Sequence, residues 1–158
     1  MPRKGPIKKR EIIPDPLYHS EVVTRLVNRV MRAGKKSVAQ KQVFKALTLL
    51  SEKEEERLSL LIQAIDNIKP QMEVRPRRIG GAAYQVPMPV KPERRETLAI
   101  RWLIQAAQKK PNSEFHTFAE KLATEIKEAL EKTGGAMKKR DDMERMAEAN
   151  KAFSHFRW

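Results

Sequence analysis

Arg75, Arg77 and Arg78 occupy three of four consecutive positions just before the pair Gly80-Gly81, and Arg94 and Arg95 follow a little further on. A guanidinium presents a planar fork of donors that matches the oxygens of a phosphate. The spacing therefore suits a polyanion better than a reacting centre, and Tyr84 or Met88 offers a surface for a base or sugar. Other chemistry is sparse. His19, His116 and His155 are far apart and share no metal-ligand spacing, and the chain has no cysteine, which excludes disulfides, thiolate catalysis and cysteine-held metals. There is neither a GxxxxGK[ST] phosphate loop nor a GxGxxG turn. Asp141-Asp142 lies beside Lys138, Lys139 and Arg140 and reads as helix first-turn charge, not as a catalytic pair. No enzyme, cofactor, metal or small-molecule substrate is expected.

The elements that carry those arginines follow from the flanking pattern. Residues 71–90 read as a β-hairpin turning at Gly80-Gly81. After the turn Ala82, Tyr84, Val86, Met88 and Val90 alternate with Ala83, Gln85, Pro87 and Pro89. Pro76, Pro87 and Pro89 cannot donate to a ladder, so the strands belong to a free ribbon and not to a larger sheet. With strands of seven or eight residues at ~3.3 Å each, the ribbon reaches roughly 25 Å. It has too little apolar surface to stand alone and must lean on a body or a partner.

That body is helical. A first helix starts near Ser20 and shows Val22, Val23, Leu26, Val27, Val30 and Met31 on one face, with Gly34 as its stop. Arg25, Arg29 and Arg32 make a second row, and Glu21 to Lys45 holds seven basic residues against one acid, too few acids for pairing within the helix. A second helix over about 36–52 buries Ala39, Val43, Ala46, Leu47 and Leu50. A third over about 55–69 buries Leu58, Leu61, Ile62, Ile65 and Ile68 and ends at Pro70. The acidic stretch Ser51–Arg57 between them repels phosphate and faces solvent or a basic partner. Pro92 opens a fourth helix to about 109, with Leu98, Ala99, Trp102, Leu103 and Ala106 inward. Ser113 caps a fifth helix carrying Phe115, Phe118, Ala119, Leu122, Ala123, Ile126 and Leu130, which Gly134-Gly135 closes. A sixth over about 136–150 turns Met143, Met146 and Ala147 inward. The expected fold is mainly α: a six-helix bundle with one protruding two-stranded hairpin and a basic N-terminal extension. Residues 1–19 form the arm, 20–150 the helical domain and 151–158 a tail.

Charge narrows the partner. The chain has 158 residues, with 33 Lys and Arg against 20 Asp and Glu, for a formal net charge of +13. A body this basic repels itself unless a polyanion neutralises it. A membrane is disfavoured, since no apolar run approaches the ~18–20 residues of a span. Arg3, Lys4, Lys8, Lys9 and Arg10 are followed by no apolar signal-peptide core. Pro2, Gly5, Pro6, Pro14 and Pro16 mark an extended, polyanion-contacting arm.

Four blocks carry a family resemblance: PDPLYHSEVVTRLVNRVMRAGKK at 14–36, EVRPRRIGGAAYQVP at 73–87, ERRETLAIRWL at 93–103 and GGAMKKRDDMERMAEANKAFSHFRW at 134–158. In order and spacing they resemble the small-subunit ribosomal protein S-seven family in its bacterial or organellar form. The resemblance implies six helices with a hairpin arm. It also implies a primary binder of small-subunit rRNA that nucleates assembly of the subunit head in the 3′ major domain, near the message exit path and the tRNA exit site. Expected partners are that rRNA, tRNA and mRNA at the exit site, and neighbouring head and platform proteins, on a cytoplasmic or organellar ribosome.

Carried over by position, the rRNA contacts are Arg3, Lys4, Lys8, Lys9, Arg10, Lys35, Lys36, Arg75, Arg77, Arg78, Arg94, Arg95 and Arg101. Gly80, Gly81, Ala82, Ala83, Tyr84 and Gln85 are expected near tRNA and message, with Lys138, Lys139 and Arg140 beside them. Ala83 stands where the family commonly has Thr, which removes a hydroxyl from the arm; Pro89, Glu144 and Phe156 also depart from the common pattern. The rival reading is an architectural DNA-binding protein with a basic β-arm, but the tip offers Gly and Ala instead of a large wedge.

Overall fold

A computed structural model describes residues 11–156; Arg3, Lys4, Lys8, Lys9 and Arg10 lie outside the described residues. Among the described residues, six α-helices, one antiparallel hairpin and a 3₁₀ helix follow in the order α1 (Glu21–Val30), α2 (Lys36–Thr48), α3 (Glu54–Ile68), β1 (Met72–Ile79), β2 (Ala82–Pro89), α4 (Pro92–Lys109), α5 (Phe118–Leu130), α6 (Gly134–Ala149) and Lys151–Phe156. Among the described residues no helix is long and apolar enough to cross a membrane.

Helix α5 is the hub, packed on α2, α3, α4 and α6. Its inward row is Ala119, Leu122, Ala123, Ile126 and Ala129, all buried. Leu47, Leu61, Ile65, Ile68 and Leu103 fill the space around it. Each such side chain removed from water contributes roughly 1.5–3 kcal/mol before conformational entropy is counted. Two expected core residues miss the core: Ile62 and Met146 are exposed. The buried row of α3 runs through Leu61, Ala64, Ile65 and Ile68, and Ile62 steps about 100° off it. On α6, Ala147 is buried and Met143 packs against the core one turn earlier, which leaves Met146 at the rim.

Helix ends show where local signals compete. The fifth helix is capped by Thr117, not Ser113. Thr117 accepts from the Glu120 backbone N–H while Glu120 accepts from the Thr117 N–H, a reciprocal box. Ser113 has no acid or amide three residues on, so Thr117 wins. Gly134-Gly135 does not close α5, which ends at Leu130; it opens α6. Gly134 has φ +91, and a Cβ there would lie 2.9 Å from the Glu128 Cβ, so the entry to α6 needs glycine twice over. Asp141-Asp142 consequently falls in mid-helix, not in a first turn. Helix α2 stops at Thr48, short of 52, and Arg57 donates to the Ser51 and Glu52 carbonyls at 2.7 Å each across the connection to α3.

The stretch before α1 is part of the body. Buried Asp15 accepts from the Leu17 and Tyr18 backbone N–H groups at 3.0 and 3.2 Å. Thr24 donates to the Ile13 carbonyl at 3.0 Å, and the Tyr18 ring packs 5.9 Å from that of Phe44. The 151–156 segment, expected as a tail, winds into a 3₁₀ helix against β2.

Candidate nucleic-acid interface

The hairpin pairs Met72 with Pro89 through to Ile79 with Ala82, in unbroken register. Gly80 and Gly81 both have positive φ, +56 and +92, as a two-residue hairpin turn of primed type requires. A Cβ on either would meet nothing, so backbone and not crowding selects glycine at the tip. Because side chains alternate along a strand, the register sorts the arginines. Arg75, opposite Val86, and Arg77, opposite Tyr84, share one face; Arg78, opposite Ala83, lies on the other. The ribbon thus carries cations on both faces.

Its base is an ion-pair clamp that sequence reasoning missed. Glu73, only 4% exposed, accepts from Arg75 at 2.5 Å through one oxygen and from Arg94 at 2.6 Å through the other. Two of the expected rRNA contacts, Arg75 and Arg94, are thus partly neutralised inside the protein. Arg95 donates to the Val90 carbonyl at 2.9 Å, fixing the exit from β2 onto α4. Arg101 is half-buried, and its Nε is a buried donor with no partner among the described residues. Arg78 and the pair Lys35–Lys36 at the start of α2 are exposed.

The tip group is also divided. Gly80, Gly81, Ala82, Ala83 and Gln85 are exposed. Tyr84 instead packs 5.3 Å from Phe153 and 5.6 Å from Phe156, so the C-terminal 3₁₀ helix braces β2 and the tyrosine face is partly spent on protein. The i, i+3 spacing of Phe153 and Phe156 was the signal for that brace. On α6, Lys138 is exposed, Lys139 bonds Gln105 Oε1 at 2.5 Å, and Arg140 donates to the Asn67 carbonyl and to Asp141, both at 2.6 Å. Burial, and then the charge of Lys109, pull the Lys139 ammonium below the ordinary lysine range against the opposing pull of Glu125. Lys138 is therefore the most available of the three. Helix α6 meets the hairpin base further along, where Glu144 accepts from the Gln71 backbone N–H at 3.2 Å, so Lys139 and Arg140 reach α4 and α3 and not the arm, and Arg25 of the α1 row is turned inward to Glu96 on α4 at 2.8 Å.

Among the described residues no group of three acidic or histidine side chains is placed to hold a metal. What the geometry offers is a braced ribbon with cations on both faces and a small, uncharged tip.

Comparison with known proteins gives the family. Residues 2–151 match the family described as Ribosomal protein S7p/S5e. The chain is 54% identical to the small ribosomal subunit protein uS7 of Caldicellulosiruptor bescii over 159 aligned positions, covering all of both chains. It is 54% identical to the protein of that name from a Sulfurihydrogenibium species, again end to end. The one from Halorhodospira halophila is 51% identical over 158 positions and equally complete. The fold of six helices and a hairpin arm fits these relatives, and the chain belongs to the ribosomal protein S7p/S5e family.

Proposed function

We propose that the protein is a structural component of the small ribosomal subunit and a primary binder of its rRNA, nucleating the subunit head in the 3′ major domain. The full-length match to proteins named as small-subunit components carries the reading. The surface supplies the chemistry. The N-terminal Arg3, Lys4, Lys8, Lys9 and Arg10, the α1–α2 turn with Lys35 and Lys36, the β1 arginines Arg75, Arg77 and Arg78, and Arg94, Arg95 and Arg101 on α4 contact phosphates. The uncharged tip from Gly80 to Gln85 approaches tRNA and message at the exit site, and so do Lys138, Lys139 and Arg140 on α6. Neighbouring head and platform proteins complete its surroundings. A ribbon that ends in Gly and Ala has no side chain to wedge between base pairs, which disfavours the architectural DNA reading.

Filter binding of the full chain to a transcript of the 3′ major domain, against random duplex DNA of equal length, tests this. The transcript wins at ~150 mM salt, and with about eight phosphates contacted the affinity falls by several orders of magnitude between ~50 and ~300 mM. Equal affinity for the two nucleic acids overturns specific rRNA recognition, and a flat salt response overturns phosphate contact altogether.

A further inference from the structure

Lys121 is 7% exposed, yet its ammonium meets no carboxylate among the described residues. It donates to the Lys110 carbonyl and to Asn112 Oδ1, both at 2.5 Å, and those neutral acceptors leave its charge uncompensated and one N–H to spare. A buried cation without a counter-ion is costly, so an anion that reaches it gains more than at an exposed lysine. Lys121 lines an open groove of about 420 Å³ between α2 and the start of α5, and none of the described residues lining that groove is acidic.

We infer that this groove receives one unstacked nucleotide of RNA. Arg32 and Lys35 at its rim, with Lys121 inside, form the phosphate end. Val38, Ala39 and Phe118 give an apolar wall for the face of a base, and Val38 is 52% exposed, a large apolar side chain left in the open. Two amides serve the base edge. The Gln42 oxygen accepts from the Ala119 N–H at 3.1 Å and the Asn112 oxygen from Lys121, so both NH2 groups, which have no acceptor among the described residues, remain to donate. Cationic rim, apolar wall and amide donors are how proteins hold a base turned out of its stack. The size fits as well, at the lower end of the roughly 300–1,000 Å³ of small-ligand pockets. This assignment rests on the rRNA-binding reading and makes one part of that surface a nucleotide-specific receptor.

The test uses the full chain, in two arms. In NMR titrations uridine 5′-monophosphate shifts the Phe118 ring and His116, ribose 5-phosphate shifts them less, and inorganic phosphate acts only near Lys121 and Arg32. In filter binding, Val38→Glu, a surface change that leaves the core intact, weakens the 3′ major domain transcript by about tenfold, the scale of one lost specific contact. Lys121→Met gives a loss of similar size, provided its amide spectrum remains that of the folded chain. If inorganic phosphate reproduces the mononucleotide shifts, the groove is a bare anion site and the nucleotide assignment falls. If the wild type binds the transcript and Val38→Glu binds equally well, the groove is not used and the rRNA reading stands without it. If the wild type does not prefer the transcript, both readings fall together.

Discussion

Arg94 donates from Nε to Glu73 Oε2 at 2.6 Å and so ties the first turn of α4 to the base of β1. The other Glu73 oxygen holds Arg75, which makes one buried carboxylate the junction between arm and body. Two effects then oppose each other. The clamp orders the arm, but it offsets part of the positive charge of Arg75 and Arg94.

Glu73→Gln separates these effects. Losing the charge at a buried, doubly bonded acceptor lowers folding stability by about 1–3 kcal/mol. The same change frees Arg75 and Arg94 and raises affinity for RNA at low salt. Urea unfolding and filter binding read the two quantities independently. A variant with unchanged stability would show that the clamp does not hold the arm.

How far the sequence foretells such features depends on the range of the interaction. The hairpin was legible because its determinants are local: two glycines at the turn and three prolines that forbid a central strand. The apolar row of α5 was legible for the same reason. The Glu73–Arg94 pair was not, since the two residues meet only once β2 has folded back. Thr117 was a local signal overlooked, for Glu120 three residues on marks the box. Ile62 and Met146 repeat at helical spacing, but only the arrangement of neighbouring helices decides which turns are covered. Tyr84 looked like a stacking surface for bases until the C-terminal segment was placed against it.

Lys110 joins three helices. Its ammonium lies 3.2 Å from Glu125 Oε2 and 2.6 Å from Glu128 Oε1, while the other Glu125 oxygen accepts from the Ala136 N–H at 2.8 Å at the entrance to α6. Burial by itself would lower the Lys110 pKa, but the hydrogen bonds to Glu128 and Glu125 outweigh it and hold the pKa above the ordinary lysine range. A pKa raised on folding gives stability that is present in full below the unfolded value and is lost as pH climbs through the folded one. Unfolding followed across the alkaline range therefore shows a decline above the ordinary lysine value that Lys110→Met lacks. The variant is also less stable at neutral pH, by about 3 kcal/mol or more, because Glu125 is left buried without its cation.

The brace at the C-terminus predicts a difference in motion. Phe153→Ala removes one of two rings against Tyr84, at a cost of about 0.5–1.5 kcal/mol beyond the area lost. The loss is local to the arm. Hydrogen exchange at β2 amides speeds up, while exchange in α5 stays at its wild-type rate. Uniform acceleration through both elements would mean that the tail supports the whole fold and not the ribbon.

The register gives the last prediction its form. Arg77 and Arg78 project from opposite faces of the ribbon, so no single phosphate serves both. Arg77→Ala combined with Arg78→Ala weakens rRNA binding by about 1–3 kcal/mol in total and lowers the salt slope by about two, one for each phosphate released. Deleting Gly80–Ala83 removes only exposed, uncharged residues. It leaves most rRNA affinity in place and instead disturbs events at the exit site, such as reading-frame maintenance. The tip carries no charge and no wedge, and the clamp at Glu73 and the brace at Tyr84 both lie outside the deleted segment. A deletion that abolishes rRNA binding would make the tip an anchor and end that division of labour.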